Sequence, residues 1–165
     1  MSIPKDIYDP IHGFISVSPL LQLFIDTPEF QRLRDLKQLG ATYFVYPSAT
    51  HTRFEHSLGV CHLAGYILQN LKKNQPELSI TKNQIDLIQL AALLHDLGHG
   101  PFSHLYDNYI IGDDEPEHEE RGIKIFKNIV ESNPIIKNRI NNDSIKFVCD
   151  LINPSEELKN NWIYQ

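Results

Sequence analysis

The stretch His95-Asp96-Leu97-Gly98-His99-Gly100-Pro101-Phe102-Ser103-His104 places three histidines, an aspartate and two glycines within ten residues. Imidazole and carboxylate groups ligate divalent ions, and imidazole exchanges protons near neutral pH. The stretch follows a largely apolar run, residues 85–94. A helix that buries this run ends by delivering the polar cluster to one place. His56, early in a second helical stretch, offers another imidazole. Neighbouring helices pack about 8–10 Å apart, so inward side chains of two helices can meet on one ion. His56, His95 and Asp96 would form a facial set with positions left open for water and substrate, which suits Fe, Mn, Zn or Ni. Adjacent helical residues diverge by about 100°. His95 and Asp96 can therefore share an ion only where the helix ends, which is where Gly98 places them. An isolated His-Asp pair would read as a helix cap and a turn residue; the further histidines and glycines favour the ligand reading.

His99, His104, Asp107 and His118 form a second layer. A histidine can carry protons in this setting, and a nearby carboxylate can fix its tautomer. His118 sits just past an acidic loop that could place it over the site. By spacing alone it reads equally as a first-turn residue on a solvated helix face, and Asp107 as an ordinary exposed carboxylate. Arg53 lies three residues before His56, so both can face one pocket, where a guanidinium would grip a phosphate. Arg32, Arg34 and Lys37, with Asp35, read as a solvated helix face. His12 and His51 fall in turn-like segments, and His62 reads as packed on a long helix. The chain has no G-x-x-x-x-G-K, G-x-G-x-x-G or G-x-S-x-G motif, which argues against a P-loop nucleotidase, a Rossmann enzyme and a serine hydrolase.

Several elements must position these residues. Asp9-Pro10-Ile11-His12-Gly13 reads as a turn, followed by a short alternating strand at 14–18. Thr27 or Asp26 can cap a helix that begins at Pro28 and carries Phe30, Leu33, Leu36 and Leu39 to a stop at Gly40. Residues 43–46 are aromatic and β-prone. A long helix is expected over 53–73, with Leu58, Cys61, Ala64, Ile67, Leu68 and Leu71 inward. Thr81, with Gln84 three residues on, resembles a capping box that opens a helix over 82–95. Shorter helices are expected after Pro101 to about 109, over 117–132 and over 143–152. The polar tail, 153–165, is expected to be loosely held. The fold class is all-α, with one or two short β-strands near the N-terminus.

The length of 165 residues suits one domain, and 41% hydrophobic residues suit a globular one. A net charge of −6 argues against a specific nucleic-acid partner, which needs a basic footprint. It permits an anionic small substrate held by a cation and local Arg or Lys groups. No apolar run approaches the ~20 residues of a membrane span, and the start carries no secretory pattern. Cys61 and Cys149 read as free thiols of an intracellular protein, cytoplasmic or nuclear.

His56 followed by His95-Asp96 resembles the signature of the HD-domain metal-dependent phosphohydrolases. Asp9-Pro10-Ile11-His12-Gly13, Asp26-Thr27-Pro28-Glu29-Phe30-Gln31-Arg32-Leu33-Arg34, Arg53-Phe54-Glu55-His56-Ser57-Leu58-Gly59-Val60 and residues 95–104 are similar, in order, to motifs of its dNTP triphosphohydrolase branch, in the type that carries an added sterile-alpha-motif domain. The resemblance covers roughly residues 4–130. It implies a helical HD core, of which residues 1–165 would be a single, partial domain: the N-terminal half of a catalytic core. It implies hydrolysis of a dNTP to deoxynucleoside and triphosphate, with a divalent ion (Fe, Mn, Zn, Ni or Mg) on His56, His95 and Asp96. Arg53 would hold the α-phosphate, and Gln38 and Leu39 would meet the deoxyribose. His99, His104 and Asp107 would line the catalytic centre, and His118 would protonate the leaving sugar oxygen. Lys5, Asp26, Gln31 and Arg34 match positions that bind an activating guanine nucleotide in a homo-oligomer. Tyr8 stands where the family has an asparagine near a second regulatory nucleotide. The family's further metal-binding aspartate and its triphosphate clamp would lie downstream.

Three functions fit this pattern: a metal-dependent dNTP triphosphohydrolase, a non-catalytic metal- or nucleotide-binding remnant or partner subunit, and an HD nucleotidase acting on a smaller phosphate ester.

Overall fold

The computed structural model describes residues 4–102 and 116–164. Strands β1 (Lys5–Asp9) and β2 (Gly13–Val17) form an antiparallel hairpin in which Tyr8 pairs with Phe14 and Asp9 with Gly13. The Asp9 carboxylate accepts from the amides of Ile11 (2.9 Å) and His12 (2.8 Å), which closes the turn. Gly13 leaves it at φ +72°, a left-handed conformation that costs glycine little. Ile15 and Val17 alternate inward and anchor the hairpin on the helices.

Helix α1 (Pro19–Ile25) is an element the sequence reading missed, although Ser18 at its N-cap and Pro19 at its first position announce it. Helix α2 (Pro28–Gln31) begins as expected, with Thr27 accepting from the Phe30 amide at 3.3 Å. It does not run on to Gly40. The chain tightens into a 3₁₀ turn (Arg32–Asp35) and then turns extended at Leu36. Phe30, Leu33 and Leu36 recur every third residue, which is the 3₁₀ period, and all three are buried. Leu39 falls off that stripe and is exposed. The expected strand at 43–46 is instead part of, and follows, a 3₁₀ turn (Gly40–Phe44). Among the described residues it has no neighbouring strand to complete a ladder, and its amides turn inward: Val45 and Tyr46 both bond to the Thr42 carbonyl.

Helix α3 (Arg53–Asn74) and helix α4 (Lys82–Leu94) pack on each other and carry the centre of the molecule. Leu90, Leu93 and Leu94 are fully buried, as the all-round apolar character of α4 requires. Helix α5 (His118–Ser132) closes over them through Phe126, Ile129 and Val130, with the Phe126 ring 5.7 Å from Phe24. Helices α6 (Pro134–Lys137) and α7 (Asn142–Ile152) complete the bundle, α7 against α4. In the tail, the Tyr164 ring lies 6.0 Å from Phe147. No helix of the described residues is long and apolar enough to cross a membrane.

Thr81 opens α4 with both arms of a capping box. Its hydroxyl accepts from the Gln84 amide at 3.2 Å, and Gln84 accepts from the Thr81 amide at 2.9 Å. Thr81→Ala is expected to cost about 1 kcal/mol, read as a shift in the urea midpoint with unchanged slope. An unchanged midpoint would mean that packing alone holds the helix.

Candidate metal centre

Helix α4 ends at Leu94, and His95 is its C-cap. The backbone then makes two tight turns, with Leu97 bonding back to Leu94 and His99 to Asp96. This turn swings Asp96 onto the side where His95 points. The first turn of α3 faces it with Arg53 and His56, and the Glu55 carboxylate holds the start of that helix by accepting from the Thr52 amide at 2.8 Å.

Ligand atoms of His56, His95 and Asp96 lie within 4.8 Å of one another. Asp96 uses both oxygens. Oδ1 is 3.3 Å from His95 Nε2 and 3.4 Å from His99 Nε2; Oδ2 is 2.6 Å from an Arg53 guanidinium nitrogen and 3.7 Å from His56 Nε2. His95 Nδ1 is 2.7 Å from the Ala92 carbonyl. A carbonyl can only accept, so Nδ1 carries the proton and, in the neutral ring, the Nε2 lone pair faces Asp96. Two lone pairs directed at each other call for a positive charge between them. The donor set therefore fits a divalent ion, and the Nδ1–H bond to a backbone carbonyl is the outer support that metal-binding histidines take.

The electrostatics agree. Burial alone would push the Asp96 carboxyl up, but the hydrogen bond with His99 and the surrounding positive charge, that of Arg53 included, outweigh it and hold the group well below its usual range. Burial is the largest influence on His56 and lowers its pKa; Asp96 opposes this, while His95, Arg53 and His51 add to it. Asp96 is thus an anion and His56 a neutral base at neutral pH, the forms in which carboxylate and imidazole can ligate a metal.

His99 is buried beneath the centre, and its ring stacks on His118 with centroids 3.9 Å apart. Asp96, His99 and His118 also bring ligand atoms within 4.8 Å of one another. His118 arrives from the first residue of α5 because Gly98 and Gly122 let two backbones touch. A Cβ on Gly98 would fall on the His118 carbonyl and the Gly122 amide, and one on Gly122 would stand 3.3 Å from the Gly98 nitrogen. Glu119 Oε1 lies 3.1 Å from His118 Nε2.

His104 and Asp107 lie outside the described residues. Gln38 and Leu39 sit in a turn tied to the start of α3: the Gln38 amide bonds to the His51 carbonyl, the Arg53 amide to the Leu36 carbonyl, and Lys37 bridges to Thr52. Lys5 opens β1, whereas Asp26, Gln31 and Arg34 lie around α2. Gln31 bonds to the Ile25 carbonyl at 2.7 Å and accepts from Arg34 Nε at 2.8 Å. The Arg34 guanidinium lies 3.5 Å from the Phe54 ring centroid.

Arg32, Arg34, Asp35 and Lys37 are exposed, as a solvated face implies, although they lie in and beside a 3₁₀ turn and two of them also bond to backbone. Arg32 reaches across to the carbonyls of Leu97 (2.8 Å) and His99 (3.1 Å), and Lys37 bonds to the Thr50 carbonyl. Arg121 and Glu119 are further residues the sequence reading passed over. Their signal was proximity to His118, three residues and one residue along the same helix. His12, given no role, and His62, read as packed on the long helix, face each other at 5.2 Å. With His51, Glu55 and Leu63 they mark, or lie beside, an open cleft of about 620 Å³ whose lining includes His56. Cys61 is inert, since burial pushes its thiol up to about 12.

Residues 53–160 match the family model described as HD domain. The chain is 54% identical over 129 residues to the deoxynucleoside triphosphate triphosphohydrolase SAMHD1 of Danio rerio, which covers 76% of this chain and 21% of that protein. It is 51% identical over 135 residues to the protein of that name in Homo sapiens, covering 79% of this chain and 22% of that protein. The SAMHD1 homolog of Dictyostelium discoideum is 46% identical over 151 residues, covering 90% and 29%. The chain thus spans between a fifth and a third of the length of these relatives.

Proposed function

Because this chain belongs to the HD domain family, we propose that it is a metal-dependent phosphohydrolase that splits a deoxynucleoside triphosphate with water into deoxynucleoside and inorganic triphosphate. The observation that carries the reading is a buried arginine set against the ligand trio. Arg53 gives one nitrogen to Asp96, while its buried Nε–H has no hydrogen-bond partner among the described residues. A buried donor without an acceptor is costly, and a phosphate oxygen is the acceptor such a site would take up.

His56, His95 and Asp96 would hold a divalent ion, one of Fe, Mn, Zn, Ni or Mg, which when bound supplies Lewis-acid charge and an acidified water. Arg53 would hold the α-phosphate without giving up its bond to Asp96, because a guanidinium has five N–H donors. His118 would donate a proton to the leaving sugar oxygen, its ring steadied by stacking on His99 and by Glu119 beside its Nε2. His99, His104 and Asp107 complete the assigned catalytic set. Gln38 and Leu39 are assigned to the deoxyribose, with the exposed Leu39 side chain opposing a ribose hydroxyl. Lys5, Asp26, Gln31 and Arg34 are assigned to an activating guanine nucleotide between copies of the chain. The free thiols of Cys61 and Cys149 fit a reducing, intracellular setting.

Incubated with Mn²⁺ and each dNTP in turn, the chain should release deoxynucleoside and triphosphate in equal amounts by ion-exchange chromatography. His95→Ala and His118→Ala should abolish the products. Bound metal with no product from any dNTP would overturn the assignment, and phosphate released from deoxynucleoside monophosphates alone would replace it with a nucleotidase.

A further inference from the structure

The turn that carries Asp96 and His99 presents a backbone problem. It is buried along residues 96–100, so its carbonyls have no ready access to water. It also lies past the end of α4, where carbonyls no longer have partners in the helix. Two arginines from different elements supply the donors. Arg32, at the junction of α2 and the 3₁₀ turn, donates from both terminal nitrogens: one to Leu97 O at 2.8 Å, the other to His99 O at 3.1 Å. Arg121, in the first turn of α5, donates Nε–H to Gly98 O at 3.1 Å and a terminal nitrogen to Pro116 O at 2.5 Å. Three successive carbonyls, 97, 98 and 99, are thereby taken by two guanidinium groups.

We propose that Arg32 and Arg121 are positioning residues that clamp the 97–99 backbone and so hold Asp96 and His99 in ligand geometry, although neither is itself placed in the ligand set. A guanidinium is planar and forked, so Arg32 fixes the separation of two carbonyls two residues apart; an ammonium on a flexible stem is a point donor and cannot. Arg121 binds the same turn to the residue pair 116 and 117 that leads into α5, and so couples the seat of Asp96 to the approach of His118. That His56, His95 and Asp96 take a metal is the reading this inference rests on, and its test separates the two.

The test uses the full chain and the variants Arg32→Lys, Arg32→Ala, Arg121→Lys and Arg121→Ala. Ile136→Ala, in the core on α6, serves as a control for general destabilisation. The first measurement is amide hydrogen exchange of residues 96–100 in metal-free protein, well below the melting temperature. The alanine variants should speed exchange there by about tenfold or more, confined to this turn and the start of α5, while the control should not. The second is Mn²⁺ titration followed by electron paramagnetic resonance. Loss of an outer support to a metal ligand typically weakens binding by about 10–100-fold. The arginine variants should fall in that range, lysine restoring only part of it, while Ile136→Ala binds as the unaltered chain does. Unchanged exchange in Arg32→Ala and Arg121→Ala would overturn the clamp. So would faster exchange with Mn²⁺ affinity retained, because the arginines would then be structural only. If the unaltered chain binds no Mn²⁺, the metal reading fails by itself, and exchange still decides whether the clamp exists. Should either alanine variant fail to fold, the lysine variants carry both measurements.

Discussion

Asp96→Ala is expected to lose the bound metal and, independently of it, to destabilise the fold by about 3–5 kcal/mol. Both effects come from one carboxylate. Its Oδ1 stands between His95 and His99, and its Oδ2 is 2.6 Å from Arg53. Arg53 is only 2% exposed and Asp96 4%. Truncating Asp96 leaves a guanidinium charge in the interior with no counter-charge among the described residues, and it cannot deprotonate to escape the cost. For a chain of this size the loss corresponds to a fall in melting temperature on the order of 10 °C. His95→Ala should abolish metal binding too, yet its ring is a third exposed and its removal leaves the Arg53–Asp96 pair in place. Its melting temperature without metal should stay well above that of Asp96→Ala. The double variant Arg53→Leu, Asp96→Leu should recover most of the stability and none of the metal binding, because a buried pair replaced by apolar groups is often neutral. Scanning calorimetry in EDTA beside Mn²⁺ titration reads both quantities, and equal melting temperatures for Asp96→Ala and His95→Ala would sink the argument. The pH dependence has a fixed sign. The Asp96 carboxyl is held below its ordinary value, so its contribution is present above about pH 4 and is lost as the pH falls below that.

Gly98→Ala should be the second severe change, and it adds only a methyl group. That carbon has nowhere to go, since its position is taken by backbone of α5: the His118 carbonyl and the Gly122 amide. Backbone cannot rotate aside as a side chain can. Helix α5 must move off the turn, and the His99–His118 stack moves with it. Overpacking of this kind costs about 1–3 kcal/mol and sometimes more. The larger consequence falls on the chemistry, where a displacement of about 1 Å can cost roughly 10²-fold in rate. Hydrolysis should therefore drop by at least that factor while the chain remains folded by circular dichroism. Gly122→Ala gives the graded comparison. Its methyl would stand 3.3 Å from the Gly98 nitrogen, a distance that a few tenths of an ångström relieves, so its effect should be much smaller. Equal effects of the two substitutions would mean that the glycine contact does not set the position of His118.

The amino-acid pattern already held the ligand trio and the long elements that carry it. Helices α3, α4, α5 and α7 were legible because their apolar residues recur at helical spacing, and Thr81 marked the start of α4. His56, His95 and Asp96 stood out because their types do metal chemistry and because a buried helix ending at His95 must leave Asp96 in a turn. The shorter pieces were less legible. Residues 28–39 carry apolar groups every third position, a pattern that serves an α-helix and a 3₁₀ turn alike; only packing against α3 selected the tighter winding. Residues 43–46 have strand-forming side chains, but a strand needs a neighbour, and the fold brings none among the described residues.

By itself, then, the sequence determined which groups could bind a metal and which helices would present them, because residue type and periodicity are local properties. Only the tertiary structure decided how the site is held. Arg32 meets carbonyls 65 and 67 residues away, and Gly98 meets the backbone of a helix that begins twenty residues later. No local period encodes such contacts, because they depend on where separate elements come to rest against each other.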